Sequence, residues 1–508
     1  MKQIKNIFLI TLLFTLGACD DFLTELPETA VPEDKAMTNL SSAEETIIGI
    51  YSCFKNSNLY SGHLTQAPDV QADLVQAAIG YSNQLGDFYR WTVTPNNSTL
   101  LNVYSGLYEI IARCNFFFDH AEAVRATLTT EADKAAMNKY EADASFMRAL
   151  AYSDLIRTFC PAYEPETAEN ELGVPLYLHY REGNGSTVKK ARASLKASYE
   201  QVLGDLEHAA KLSTRQGSDA MYVTQGAIAA LQARVYLYMQ NWEKAEEYAT
   251  KVIDAENNSS HVYSLADVNR SVQAPDGQMT NEYAAMWKYD TSDEIIWKIS
   301  FSSTDMGGSL GTLFMGITGG RYNPNYLPAQ WLINSYSTAD QRYQAFFTKV
   351  TTMRGVNWEV TTKFPGNPII DGSAGPYYVN MPKVLRLSET YLIRAEARAM
   401  QQNTTGANKD LTTLRRARIV NYGAASYSQD KLMEAIQEER AKELYLEGFR
   451  LADLKRWKKG FERRPQTGTL TGEQYSSLTV SGTSKKFTWL IPQHEITASK
   501  GLVIQNEQ

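Results

Sequence analysis

The stretch TQGAIAALQARVYLYMQNWEKAEEYATKVID, Thr224 to Asp254, reads as a helix, a break and a second helix. Ile228, Leu231, Val235 and Tyr238 recur at the spacing of one helical face and make an apolar stripe. Ala229, Ala230 and Ala233 add small side chains that let another helix come close. Asn241 interrupts the run. Beyond it Trp242, Ala245, Tyr248, Ala249 and Val252 form a second stripe facing back toward the first. Neither helix buries its apolar face alone, so the unit needs neighbours.

The hairpin resembles a tetratricopeptide unit, in which small residues let helix pairs stack. Comparable pairs are expected at 194–211, 388–419 and 430–458, at irregular intervals. The predicted fold class is therefore mainly α, a tetratricopeptide-like helical-pair scaffold with little β. Toward the N-terminus, Ile47, Ile48, Tyr51 and Phe54 follow a helical period, with Ser42 as cap and Glu45 as its capping-box partner. Longer amphipathic runs span Leu100 to Glu122 and Lys134 to Phe159, the second stopping before Pro161.

Between 259 and 380 the character changes to Gly, Asn, Ser, Thr, Pro and aromatics, with one short strand expected at Glu294 to Phe301. There Trp297 shares a face with Ile295 and Ile299 and is assigned to the core. A loop-rich, aromatic-rich insertion of this length, carrying Trp287, Tyr289, Tyr322, Tyr326 and Trp331, is the expected place for a binding surface.

The 508-residue chain carries a formal charge of −7 and no Lys/Arg-rich arm, which sets nucleic acid aside. Its four cysteines, at 19, 53, 114 and 160, lack a Cys-x-x-Cys spacing, and its six histidines lack a His-Glu-x-x-His pair. No metal site, disulfide framework or cofactor is predicted. Thirty tyrosines and eight tryptophans supply rings that suit both cores and binding surfaces.

At the N-terminus, Lys2 and Lys5 precede a ten-residue apolar run from Ile7 to Leu16, too short for a membrane span of ~20 residues. The run ends in TLGACDD, Thr15 to Asp21, where Leu16-Gly17-Ala18-Cys19 resembles the bacterial lipobox. Residues 1–18 are then a lipoprotein signal peptide, and Cys19 is the lipidated first residue of the mature chain. Several acyl chains on it would hold firmly, at about 0.8 kcal/mol per buried CH₂. The plainer alternative is a secreted chain with a chance cysteine. Residues 19–40, with Pro27 and Pro32, form an extended tether, and 41–508 the folded domain.

Gly307-Gly308-Ser309-Leu310-Gly311 fits the Gly-x-Ser-x-Gly nucleophile elbow. That chemistry needs a strand entering the serine and a helix leaving it, and the glycine-rich segment that follows is a poor helix. His494 is the only histidine downstream. The acidic pairs Glu246-Glu247 and Glu438-Glu439, each with a lysine four residues on, are read as solvated helix charge rather than glycosidase carboxylates. No enzyme is predicted.

Several segments, in order, resemble the SusD/RagB family of outer-membrane lipoproteins. They are Met147-Arg148-Ala149-Leu150-Ala151-Tyr152 with Gly173-Val174-Pro175-Leu176, and Leu385-Arg386-Leu387-Ser388-Glu389-Thr390-Tyr391-Leu392 with Ala395-Glu396-Ala397. Glu439-Arg440-Ala441-Lys442-Glu443-Leu444 follows, then Glu447-Gly448-Phe449-Arg450, Asp453-Leu454-Lys455-Arg456-Trp457 and a closing Leu490-Ile491-Pro492-Gln493. Gly448 suits a left-handed position at a corner between helices, so Glu443 and Arg450 are assigned to structure. The resemblance implies a surface protein that captures glycans and sits as a lid on a SusC-like TonB-dependent outer-membrane barrel. Asp20-Asp21 then resembles the export signal of surface lipoproteins, or simply begins a polar tether.

In the family, ligand contacts fall in loops before and after the repeat scaffold, here Gly80 to Trp91 and about Trp287 to Tyr326. Tyr81, Trp91, Trp287 and Tyr322 are the stacking candidates, and Asn83, Arg321 and Asn323 the hydrogen bonders. Each ring serves equally well as core. Peptide capture for a RagA-like transporter, or a repeat-based protein adaptor, are the alternative functions.

Overall fold

A computed structural model describes residues 32–180, 189–254, 263–371, 378–466 and 477–508. The signal segment, Cys19, Asp20-Asp21 and the tether through residue 31 lie outside the described residues.

Twelve helices carry the argument: α1 (Leu40–Cys53), α2 (His63–Gln71), α3 (Ser98–Arg125), α4 (Glu131–Phe159), α5 (Leu195–Leu212), α6 (Gln225–Tyr238), α7 (Trp242–Ile253), α8 (Glu282–Tyr289), α9 (Leu387–Met400), α10 (Thr404–Arg416), α11 (Gln429–Glu443) and α12 (Arg450–Arg456). The fold is mainly α with little β, as the periodicity predicts. α6 and α7 form the expected hairpin. Gln240 turns the chain at φ 56°, and the Asn241 side chain caps α7 by accepting from the Lys244 N–H at 3.1 Å.

α6 and α7 both pack on α9, through Ala233 and Leu237 of α6, Ala245 and Ala249 of α7, and Ile393 and Ala397 of α9, all buried. The small residues thus let one helix pair stack on the next pair, α9 with α10. The 194–211 segment corrects the expectation of a pair: its 18 residues make one helix, α5, whose partner is α4. At α1 the cap is Asn39 rather than Ser42. Asn39 Oδ1 accepts from the Ser42 N–H and the Ser42 hydroxyl takes the bond from the Asn39 N–H, leaving Glu45 no part in the box.

The insertion is more ordered than one strand. It contains α8 and, among the described residues, strands that pair only two at a time. β1 (Val75–Ala77) pairs antiparallel with β5 (Tyr326–Pro328), and β2 (Ile295–Lys298) with β8 (Lys383–Arg386). β3 (Ile317–Thr318) forms a hairpin with β4 (Arg321–Tyr322), and β6 (Phe347–Thr351) with β7 (Asn357–Thr361). Trp297 on β2 is fully enclosed, its ring against Phe54 and Phe146 at 5.7 and 5.3 Å, in keeping with its core assignment.

Insertion and scaffold meet at a buried ionic network. Arg342 bonds Asp340 at 2.8 Å, Glu439 at 2.6 Å and Glu443 at 3.1 Å. Arg418 bonds Glu294 and Glu443, and Arg386 bonds Glu294, Glu443 and Glu447, all within 3.0 Å. Burial alone would raise the Glu443 carboxyl; Arg418, Arg386 and Arg342 override it and hold it well below the usual range. The same balance of burial against Arg342 and Arg415 brings Glu439 to about 2.

Glu439 is therefore not solvated charge, because its partners arrive from other elements. Glu438 is exposed, and Glu247 pairs with Lys244 and Lys251 as a helix-surface charge should. At the corner after α11, Gly448 has φ +83° and Asp69 accepts from the Gly448 and Arg450 N–H groups. Arg450 reaches Asp73 at 2.8 Å, tying α12 to the segment after α2. These signature residues hold the fold together, as their structural assignment anticipates.

Candidate ligand-binding site

Pairing of β1 with β5 brings the loop after β1 beside the β3–β4 hairpin, although some 240 residues separate them. The Ala78 N–H donates to the Asn325 carbonyl at 2.8 Å, the Ser82 N–H to Asn325 Oδ1 at 2.5 Å, and the Tyr326 hydroxyl to the Gln84 carbonyl at 2.7 Å. Three left-handed residues, Gly80, Asn83 and Leu85, fold the loop tightly. Arg90 closes it from beneath, donating to the Tyr81 hydroxyl at 2.8 Å and to Asn83 Oδ1, with Asp87 as its carboxylate partner at 2.9 Å.

Gly319 and Gly320, at φ 55° and 73°, form the two-residue turn of the β3–β4 hairpin, a conformation that glycine adopts without steric cost. Thr318 and Arg321 are cross-strand partners, and Asn323 Nδ2 donates to Thr318 Oγ1 at 3.3 Å. Tyr322 is half-buried and packs with Ala78, Leu327, Val356 and Val360. Arg354, in the turn between β6 and β7, binds the two regions together. Its Nε donates to Asn323 Oδ1 at 3.1 Å while its guanidinium covers Gly80, where any Cβ would collide with it.

Five of the seven sequence candidates, Tyr81, Asn83, Arg321, Tyr322 and Asn323, are thus brought together on neighbouring loops. Asn83 and Arg321 are exposed, and Tyr81, Tyr322 and Asn323 half-buried. The Tyr81 ring leans on Tyr326 at 5.9 Å. The Arg321 side chain makes no hydrogen bond or ion pair among the described residues.

The structure places the other two candidates in the interior. Trp91 is 7 % exposed, with φ 60° turning it inward; its indole N–H donates to the Gln71 carbonyl at 2.7 Å and its ring meets Phe461 and Phe487. Trp287 is 2 % exposed on α8, enclosed by Tyr283, Phe346 and Phe364, with the Lys363 ammonium 4.1 Å from its ring centre. Burial pushes Lys363 down to about 8, with Glu447 pulling in the other direction. Both indoles are packed on all sides, so neither offers a face for stacking. Arg90, Asn325 and Arg354 are the residues that sequence reasoning did not single out.

Ser309 does not sit in a nucleophile elbow. It lies in irregular chain, its hydroxyl donating to the Tyr378 carbonyl at 3.1 Å and meeting Thr312 Oγ1 at 2.6 Å. His494 is exposed beside Glu495, on a short C-terminal helix.

Stacked helical pairs thus carry a loop-built surface of tyrosines, amides and arginines. The chain belongs to the SusD family, whose model matches residues 232–508, while a second model, described as starch-binding associating with outer membrane, matches residues 21–237. A SusD-like protein of Formosa agariphila is 23% identical over 90% of each chain. Among solved structures, a SusD superfamily protein from Bacteroides thetaiotaomicron superposes with a TM-score of 0.76 at 24% identity, covering 92% of this chain and 100% of that one. A SusD-like carbohydrate binding protein from Bacteroides vulgatus gives a TM-score of 0.73 at 21% identity, covering 92% and 97%. The family is carbohydrate-binding and outer-membrane associated. Among the described residues no helix is long and apolar enough to cross a membrane.

Proposed function

We propose that this protein is a lipoprotein, anchored through Cys19 and facing the cell exterior, that captures glycans and delivers them to a SusC-like TonB-dependent barrel. The binding surface is the loop cluster of Tyr81, Asn83, Arg321, Tyr322 and Asn323. The observation that carries the reading is the joining of two distant loops by Arg354, through Asn323 and over Gly80.

Sugars present apolar C–H faces rimmed by hydroxyls, which calls for ring faces beside amide and guanidinium donors. Tyr81 and Tyr322 supply the rings, while Asn83, Asn323 and Arg321 supply the donors and acceptors. The family's description as starch-binding supports a glycan over a peptide. No bond is broken in this function: the protein binds without stabilising a transition state.

Electrophoresis of the soluble protein through gels containing single polysaccharides tests the reading. Retardation by one polysaccharide class, and none by a mixed peptide digest in solution, is the expected result. Binding to the peptide digest alone would replace glycan capture with peptide capture.

A further inference from the structure

A groove on α3 involves none of the loop-cluster residues. Its deep end is a pocket of ≈ 320 Å³ walled by Tyr104, Tyr108, Tyr177 and Tyr180. The rim is pinned to α3 by hydrogen bonds. The Tyr108 hydroxyl donates to the Pro175 carbonyl at 2.9 Å, and buried Asn115 donates to the Tyr177 carbonyl at 2.8 Å. Asp119 accepts from the Tyr180 N–H and meets His179 Nδ1, both at 2.8 Å. Such a pocket is formed before any ligand arrives, so binding need not order it.

Beyond Ala112 a shallower trough of ≈ 600 Å³ adjoins the pocket, with Glu109, Ala112 and Tyr180 lining both, and reaches Ser42, Glu45 and Thr46 on α1.

We propose that this groove is a second glycan-binding site, with one pyranose ring among the tyrosines and the following residues of the sugar chain along the trough. The Tyr108 and Tyr177 hydroxyls are committed to backbone groups, to Pro175 and to the Lys190 N–H at 3.2 Å; Tyr104 is buried behind Tyr108, and the half-buried Tyr108, Tyr177 and Tyr180 are the rings that line the opening. The pocket matches the low end of ligand sites, roughly 300–1,000 Å³.

At its edge stand Glu109 and the Lys189–Glu495 pair, 3.6 Å apart. A purely aromatic ligand would dehydrate these charges without replacing their hydrogen bonds, whereas sugar hydroxyls replace them. The two-part, elongated shape fits a linear chain better than a compact molecule. The inference takes its ligand class from the proposed function and adds a separate place for it.

An array of plant, algal and fungal oligosaccharides, read with wild type, Tyr322→Ala and Ser105→Trp, tests the idea. Ser105 is an exposed residue of α3 at the pocket wall whose hydroxyl bonds only its own helix, so a tryptophan there fills the pocket without emptying the core. Thr46→Trp blocks the trough independently, and thermal melting checks that each variant is folded. Tyr322→Ala should keep binding that Ser105→Trp or Thr46→Trp, added to it, lowers about tenfold or more. If Tyr322→Ala binds nothing while Ser105→Trp binds as wild type does, the groove is refuted and the loop site stands. The reverse pattern upholds the groove and refutes the loop site, and silence from the wild type refutes both.

Discussion

Tyr322 shows how one residue can serve both core and surface: it packs with Ala78 and Leu327 while remaining half-buried beside exposed Arg321. Replacing it with alanine should weaken glycan affinity by about 1–2 kcal/mol, roughly five- to thirtyfold in Kd, measured by calorimetric titration. Trp91→Ala should instead lower stability by about 3–5 kcal/mol in urea unfolding, because it empties a packed site. The sequence distinguished Trp297, where alternation along a strand marked an inward face. It could not separate Trp91 or Trp287 from Tyr81, because a left-handed residue and an unforeseen short helix decide which way those rings point. Arg354 was invisible for a related reason: its closeness to Gly80 exists only once the β6–β7 hairpin is built.

Elements were legible where period and capping agreed. The helices predicted over 100–122 and 134–159 appear as Ser98–Arg125 and Glu131–Phe159, lengthened to their caps at Asn97 and Thr130. Glu439 was misread because the pattern of Glu438 and Lys442 looks like a solvated helix face, while its partners Arg342 and Arg415 lie on other elements. The corner between α11 and α12 depends on a single glycine. Gly448 is at φ +83°, and a Cβ there would stand 3.1 Å from Thr65 Cα. Gly448→Ala should therefore destabilise the protein by about 1–2 kcal/mol, read as a lower urea midpoint with an unchanged slope.

At the scale of the molecule, the family signature and the loop-rich insertion are one construction. Glu443 gathers Arg342, Arg386 and Arg418, so the scaffold cannot separate from the insertion without baring buried charge. Glu443→Gln should cost about 3–5 kcal/mol at neutral pH. Folding depresses the Glu443 and Glu439 carboxyls, so their stabilisation is complete above the unfolded value of about 4.3. It is lost as pH falls from there through their depressed folded values, and unfolding at stepped pH should show a shallower loss in Glu443→Gln than in wild type.

The central claim is that the joined loops bind glycan. It is tested most directly by calorimetric titration of the soluble chain, truncated before Phe22, with the polysaccharide that retards it in gels. Wild type should give saturable heat, and Tyr81→Ala combined with Tyr322→Ala, folded by its melting curve, should lose most of the affinity at the loop site. Unchanged affinity in that double variant would contradict the account.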